Sequence, residues 1–341
     1  MKKSVKKVKG KLAKSRARRY NVIEKITWIR QEAAFMKIAV QTGGPSERIG
    51  VDATYRLIKE AGFDAVDANI DHLLSGADIR YKRIPEVLLT GSDREIAELA
   101  RPWGDAARKY GLDNYQAHAP FPSYMYYEDD MSYNDNVLKM LKSTIVACDS
   151  IDCRNLIIHP FFMDYNHQLD PRVEWDLNIE RYSKLIPCAK KYGVTICLEN
   201  MFTARRGKIY AACCSNIDTA CRYIDTLNGI AGEKVFGFCL DTGHLLLVGL
   251  DIRDSIIQLG DRITAFHVHD NNGVNDQHLA PYMGVLDWER FTDGLRAIHF
   301  DRTMSFETFN IWNLMDVETA PAMMRYIAEI GRIFAKRAAA E

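Results

Sequence analysis

The chain has 341 residues, 47% hydrophobic and 26% charged, the balance of a soluble globular protein with room for a large core. No apolar run approaches the roughly 18 residues that cross a bilayer, and no apolar stretch of a secretory signal follows the basic N-terminus, so a cytoplasmic protein is expected. The formal net charge of 0 hides an asymmetry: residues 1–20 hold ten Lys or Arg and no acid, leaving 35 basic against 45 acidic residues, a formal −10 that suits nucleic-acid backbones poorly.

Residues 1–35 read as a basic extension, disordered or helical, ahead of a folded body from 36 to 341. In that body short β-rich runs alternate with longer amphipathic stretches. The runs are 36–42, 63–68, 114–118, 155–159, 194–199, 235–241, 262–269 and 303–307. Glycines at 62, 111 and 193 precede three of them, as helix C-caps feeding a strand would. One helix is expected over 178–192, with Ile179, Tyr182, Leu185, Ile186 and Ala189 on one face, and another near 287–299. Eight β-then-α repeats close naturally into an α/β fold of the (β/α)8 barrel type. A doubly wound sheet is the rival, but Gly43-Gly44 after the first run is not GxGxxG and no Walker loop appears. The aromatic loop at 119–131 is expected to arch over the barrel mouth, with 308–316 as another wall. The eight cysteines are scattered without CxxC spacing and predict no disulfide framework.

The run ends carry the chemistry. His118, His159, Glu199, Asp241, His269 and Glu307 close separate apolar runs, and in such barrels reactive groups sit at the strands' C-terminal ends. Glu199, Asp241, His269 and Glu307 form a mostly oxygen donor set suited to a divalent metal ion such as Mn²⁺, Mg²⁺, Co²⁺ or Zn²⁺. Without a cation, three carboxylates in one pocket would repel one another and raise their pKa values. His244, three residues after Asp241, is a second ligand or a donor to a substrate oxygen. Asp276 and His278 suit a second metal or sugar hydroxyls, and His118 and His159 are assigned to the site. His267 shares a strand face with His269 and is expected to pack behind it. Phe121, Tyr124, Phe161, Tyr282 and Trp312 are candidates to stack on sugar rings.

The segments LIIHP, CLEN, CLDTGH, HVHDNNG with DQHLAPYMGVLDW, and SFET resemble the sugar phosphate isomerase/epimerase family of the xylose isomerase-like TIM barrel superfamily, over roughly Met36 to Ala338. That superfamily also holds apurinic endonucleases and keto-sugar 3-epimerases. The resemblance places the family's metal quartet on Glu199, Asp241, His269 and Glu307, and its substrate-contacting DxxH histidine on His244. It departs at Tyr282-Met283, where relatives have HLxPGxG, and lacks the Arg that free-ketose epimerases carry after the metal-binding His. The endonuclease-type set of His118, His159, Glu199, Asp241, His244, His269, Asp276, His278 and Glu307 is complete. The expected function is a metal-dependent sugar isomerase or epimerase, with Glu199 and Glu307 as acid and base and His159 as an alternative base. Its substrate would be a small carbohydrate, and the chain is a candidate homo-oligomer. The alternatives are a lyase on an oxidised sugar or glycoside and an endonuclease IV-like multi-zinc phosphodiesterase.

Overall fold

Eight parallel strands form the inner wall of the barrel, in a computed structural model that describes residues 36–163 and 165–340. In chain order the strands are β1 (Ile38–Gln41), β2 (Ala65–Ala68), β3 (Asp113–His118), β4 (Asn155–Ile157), β5 (Thr195–Glu199), β6 (Phe202–Arg205), β7 (Lys208–Ala211), β8 (Phe236–Asp241), β9 (Ile263–His267) and β10 (Met304–Phe306). The barrel order is β10-β1-β2-β3-β4-β5-β8-β9. The seam closes past the end of β9: the Val268 N–H donates to Ser305 O at 2.8 Å, and the Glu307 N–H donates to Val268 O at 3.1 Å. All eight expected strands are present in order, seven of them trimmed by a residue or two and β3 starting one residue earlier, at Asp113. The basic extension expected at 1–35 lies outside the described residues.

Strand alternation sorts the side chains into two sets. On β5, Ile196 and Leu198 join the large core between sheet and helices, while Cys197 faces inward. On β8, Phe236, Phe238 and Leu240 face the helices and Cys239 faces inward. Ile157, Cys197, Cys239 and Ala265 make a small separate cluster inside the barrel. One step further along β5, β8 and β9 the same inward column carries Glu199, Asp241 and His267, and Asp241 pairs in register with His267.

Two local features differ from expectation. The helix expected over 178–192 is two helices, Pro171–Ser183 and Ile186–Tyr192. Pro187 cannot donate its backbone nitrogen and its ring opposes the carbonyl of Ser183, so the chain turns before it and restarts. The hairpin β6–β7 was not expected, because its strands are half-exposed and carry no clean apolar alternation. Its tight turn places Arg206 and Gly207 at φ 50° and 73°, the paired positive values a two-residue hairpin requires. All eight cysteines are free thiols, and no described helix is long and apolar enough to cross a membrane.

Candidate active site

The C-terminal ends of the strands open into a cavity of about 830 Å³. Ten titratable side chains converge at its base. Glu199 ends β5, Asp241 ends β8, and His267 ends β9; Glu307 follows β10, and His118 and His159 come from β3 and just after β4. Asp241 also caps the helix Thr242–Leu247, accepting the His244 N–H at 2.6 Å, which swings the His244 ring inward. The loop after β9 brings His269, Asp276 and His278.

These residues form a continuous chain of contacts. His118 Nε2 lies 3.0 Å from His159 Nε2, and His159 Nε2 lies 3.2 Å from Glu199 Oε2. Glu199 Oε1 lies 3.0 Å from His267 Nδ1 and 3.6 Å from His244 Nδ1. His267 Nδ1 is 3.6 Å from Glu307 Oε2 and 3.9 Å from Asp241 Oδ2. At the other end, Asp276 Oδ2 lies 2.9 Å from His278 Nε2 and 3.6 Å from His244 Nε2, and His278 Nδ1 lies 3.2 Å from Glu307 Oε2. His269 Nε2 sits 3.0 Å from both oxygens of Asp241, its ring stacked on His278 at 4.0 Å. A side chain at Gly243 would put Cβ 2.0 Å from His269 Cε1, so the DTGH turn needs glycine there.

Of the quartet expected from sequence, Asp241, His269 and Glu307 form one group of converging donor atoms and Glu199 joins Asp241 and His267 in another. His267, expected to pack behind, is the imidazole that faces all three carboxylates. Period-two counting from the inward Ala265 turns both His267 and His269 inward, with Val268 still bridged to Phe306 between them, and His269 meets Asp241 while His267 reaches all three carboxylates. Two further residues escaped sequence reading. Gln41 Nε2 donates to Glu307 Oε1 at 3.0 Å from β1. Asp67, buried on β2, lies 3.4 Å from His267 Nε2 and accepts from Gln116 Nε2 at 2.6 Å. A run of AVDA gave no cue that its carboxylate lies behind the cluster. Among the aromatic candidates, Phe121 and Tyr124 line the cavity. Phe161 and Trp312 are buried in the helix-facing core, and the half-exposed Tyr282 lies beside Trp288 and Phe334, so these three do not line the cavity. Size and aromaticity alone could not separate the two groups.

Electrostatics tie the cluster together. Burial opposes charge on His244, yet Asp241 and Asp276 outweigh it and push the imidazole up to about 10. Burial likewise opposes charge on His267 and His278, and facing carboxylates hold both well above the usual histidine value. Glu199 and Glu307 are held low despite burial, chiefly by His267. His159 goes the other way: burial depresses it, leaving a neutral ring near pH 7.

The residues fit a divalent ion. No Lys or Arg pairs with Glu199, Asp241 or Glu307 among the described residues, and Glu199 Oε2, His269 Nδ1 and Asp276 Oδ1 are buried with no hydrogen-bond partner. His118 Nδ1 lies 2.7 Å from Ala119 O and His244 Nδ1 lies 2.9 Å from Asn200 O. Donation of Nδ1–H to those carbonyls aims each Nε2 at the cluster, so that His118, and His244 once it gives up its second proton, present the nitrogen found on metal-bound histidines. Among the described residues, four groups of donors lie close enough to hold ions: Glu199–Asp241–His267, Asp241–His269–Glu307, His118–His159–Glu199, and His244–His269–Asp276–His278.

Two outcomes follow. With the raised imidazoles protonated at pH 7, adding Mn²⁺ or Zn²⁺ to metal-free protein releases protons, and apparent metal affinity climbs with pH. An indicator dye in weak buffer reads the release; proton uptake or no change would contradict the charge state derived for His244 and His267. Asp67→Asn, which leaves the fold but removes the charge behind His267, weakens metal binding about 10–100-fold. An unchanged affinity by competition with a chromophoric chelator would remove Asp67 from the site.

Comparison with known proteins agrees with this architecture. An uncharacterised protein of Sinorhizobium fredii, y4fM, is 25% identical over 281 residues, covering 76% of this chain and 81% of its own. A probable endonuclease 4 of Thermoplasma acidophilum is 27% identical over 172 residues, 48% of this chain and 54% of its own. Among solved structures, the 3-keto-D-glucoside 4-epimerase YcjR from E. coli superimposes with a TM-score of 0.63 at 16% identity, covering 87% of this chain and 99% of that one. The IolI protein with a bound zinc atom gives 0.62 at 17%, covering 88% and 98%. Identities this low in the solved structures carry the fold and not the activity. The family model of the xylose isomerase-like TIM barrel matches residues 55–330, and with eight parallel strands closed around an acidic, histidine-rich mouth, this chain belongs to that family.

Proposed function

We propose that this protein is a divalent-metal-dependent isomerase or epimerase that moves a proton at the carbon beside a sugar carbonyl. The observation that carries the reading is the pairing of Glu199 and Glu307 across His267, both buried, both held ionised, and both at the base of a roomy cavity. Glu199, Asp241, His267 and Glu307 would hold the ion, with His269 against Asp241. A bound ion supplies Lewis acidity, polarising a carbonyl and acidifying the neighbouring C–H. Glu199 and Glu307 then take up and return the proton, since their environments differ: Glu199 faces His159 and His267, and Glu307 faces Gln41 and His278. His159, neutral and 3.2 Å from Glu199, is the alternative base. His118, His244, Asp276 and His278 ring the cavity with groups that can bind hydroxyls. Sugar epimerases among the structural neighbours support this substrate class. A lyase acting on an oxidised sugar or glycoside would use the same proton abstraction and would show as loss of the leaving group.

The test is hydrogen exchange. Ketoses, aldoses and oxidised glycosides are incubated with Mn²⁺-loaded protein in D₂O, and mass spectrometry follows label at carbon. Incorporation beside a carbonyl is expected in at least one sugar; none across the panel counts against the reading. A second reading, a multi-zinc phosphodiesterase, is favoured by the two outer donor groups, His118–His159–Glu199 and His244–His269–Asp276–His278, which would let three ions line up. Against it, Arg80 is the one Lys or Arg lining the cavity among the described residues. Metal analysis separates the two: about one tightly held ion fits the isomerase, and three zinc ions with cleavage of an abasic duplex fit the hydrolase.

A further inference from the structure

The mouth of the main cavity is divided by side. Six phenyl or phenol rings line it among the described residues, and five of them come from the loops after three neighbouring strands, β3, β4 and β5. Phe121, Tyr124 and Tyr126 follow β3, Phe162 follows β4, and Phe202 opens the hairpin after β5. The loops after β1 and β2 contribute Glu47, Asn69, Asp71, His72 and Arg80 to the lining, and no such ring.

The inner rings crown the donor cluster. The Phe121 centroid lies 5.3 Å from His118 and 5.0 Å from His159, and that of Phe202 lies 4.9 Å from His244. Tyr126 stacks on His167 at 4.2 Å, and the Tyr124 ring meets the Arg181 guanidinium at 5.5 Å, partners outside the cluster. Hydrogen bonds fix this wall in place. Buried Asn134 accepts the Met125 N–H and donates back to Met125 O, both at 3.0 Å, and Ser123 Oγ donates to Pro160 O at 3.0 Å. Yet Phe121 and Tyr126 are left 43% and 45% exposed. Rings held rigidly and left bare in a concave site form a ligand face.

Size and charge narrow the ligand. A sugar ring of about a dozen heavy atoms leaves much of the cavity empty, since spaces of roughly 300–1,000 Å³ enclose far larger molecules. The loops after β3, β4 and β5 bring no Lys or Arg to the lining among the described residues, so a phosphate or carboxylate along the wall gains nothing from them. A second sugar would set hydroxyls against Met125, Phe162 and Phe202, and the Ser123 hydroxyl is already spent on Pro160. A flat, uncharged ring matches the wall.

We propose that this wall binds an aromatic group carried by the sugar, making the substrate an aryl glycoside whose sugar ring lies over the donor cluster. The inference rests on the sugar-directed reading of the main site and narrows its substrate class.

Titration calorimetry on Mn²⁺-loaded protein tests it, with methyl, cyclohexyl and phenyl glucosides of both anomers set against glucose, cellobiose and glucose 6-phosphate. A phenyl glucoside binds tenfold or more tightly than its methyl counterpart and at least threefold more tightly than the cyclohexyl one. Tyr126→Ala and Phe162→Ala each cut the phenyl glucoside's affinity roughly three- to tenfold, and Tyr126→Phe keeps it. Methyl or cyclohexyl glucosides binding as well as phenyl ones would overturn the aromatic subsite alone. So would cellobiose or glucose 6-phosphate binding more tightly than either phenyl glucoside, or a phenyl advantage that neither alanine variant reduces in proteins with wild-type circular dichroism. Absence of binding by every sugar and glycoside would overturn it together with the sugar-directed reading.

Discussion

Glu199→Gln lowers turnover by on the order of 10²–10⁴-fold, the range expected for loss of a positioned acid–base group, while circular dichroism stays that of the wild type. The substitution is close to isosteric, so it tests charge and not volume. Glu199 touches His118, His159, His244 and His267 from the end of β5, and no other carboxylate reaches both halves of the cluster. The outward faces of β5, Ile196 and Leu198, are untouched by the change, so the barrel keeps its core. The variant is assayed with excess Mn²⁺, which separates lost proton transfer from weakened metal binding. Deuterium incorporation within a fewfold of wild type would sink the proposed role of Glu199. Glu307→Gln gives a loss of the same order, because the Gln41 contact cannot replace a carboxylate's basicity.

Removing the metal abolishes activity and lowers the unfolding temperature by several degrees. Three carboxylates and their histidines are assembled inside a cavity with no Lys or Arg among their partners in the described residues, so the ion takes over, with two charges at one point, the role that the raised imidazoles hold in the metal-free protein. A ligand bound only by the folded state stabilises it by RT ln(1 + [L]/Kd), about 4 kcal/mol when present at a thousand times its Kd. Exhaustive dialysis against EDTA, followed by add-back of Mn²⁺, Co²⁺, Mg²⁺ or Zn²⁺, reads both effects, by turnover and by calorimetry. Full activity in protein shown by elemental analysis to be metal-free would refute the metal-dependent chemistry.

The barrel was legible because its signals are local and repeated. Each strand is a short apolar run, and six of the eight runs end in a residue too polar to be buried without a purpose, from His118 to Glu307. The choice of Glu199, Asp241 and Glu307 as converging carboxylates followed from their place one step past those runs, and the structure brings their donor atoms into adjoining groups. What local signals miss is phase and distance. His267 and His269 both face carboxylates, and that His267 is the one within reach of all three depends on distances that a local pattern does not carry. Asp67 and Gln41 come from strands without obvious chemistry and meet the cluster only through barrel closure. The helix break at Pro187 was written in the sequence and was overridden by a run of well-placed apolar residues.

The plug of Ile157, Cys197, Cys239 and Ala265 beneath the donor ring closes the barrel axis from below. Among the described residues, ions, chelators and sugars then reach the donor ring from the cavity above. A saturating sugar should then act as a stopper, slowing the escape of the ion to EDTA in proportion to its occupancy, and the rate of that escape becomes a gauge of sugar binding even where no turnover occurs.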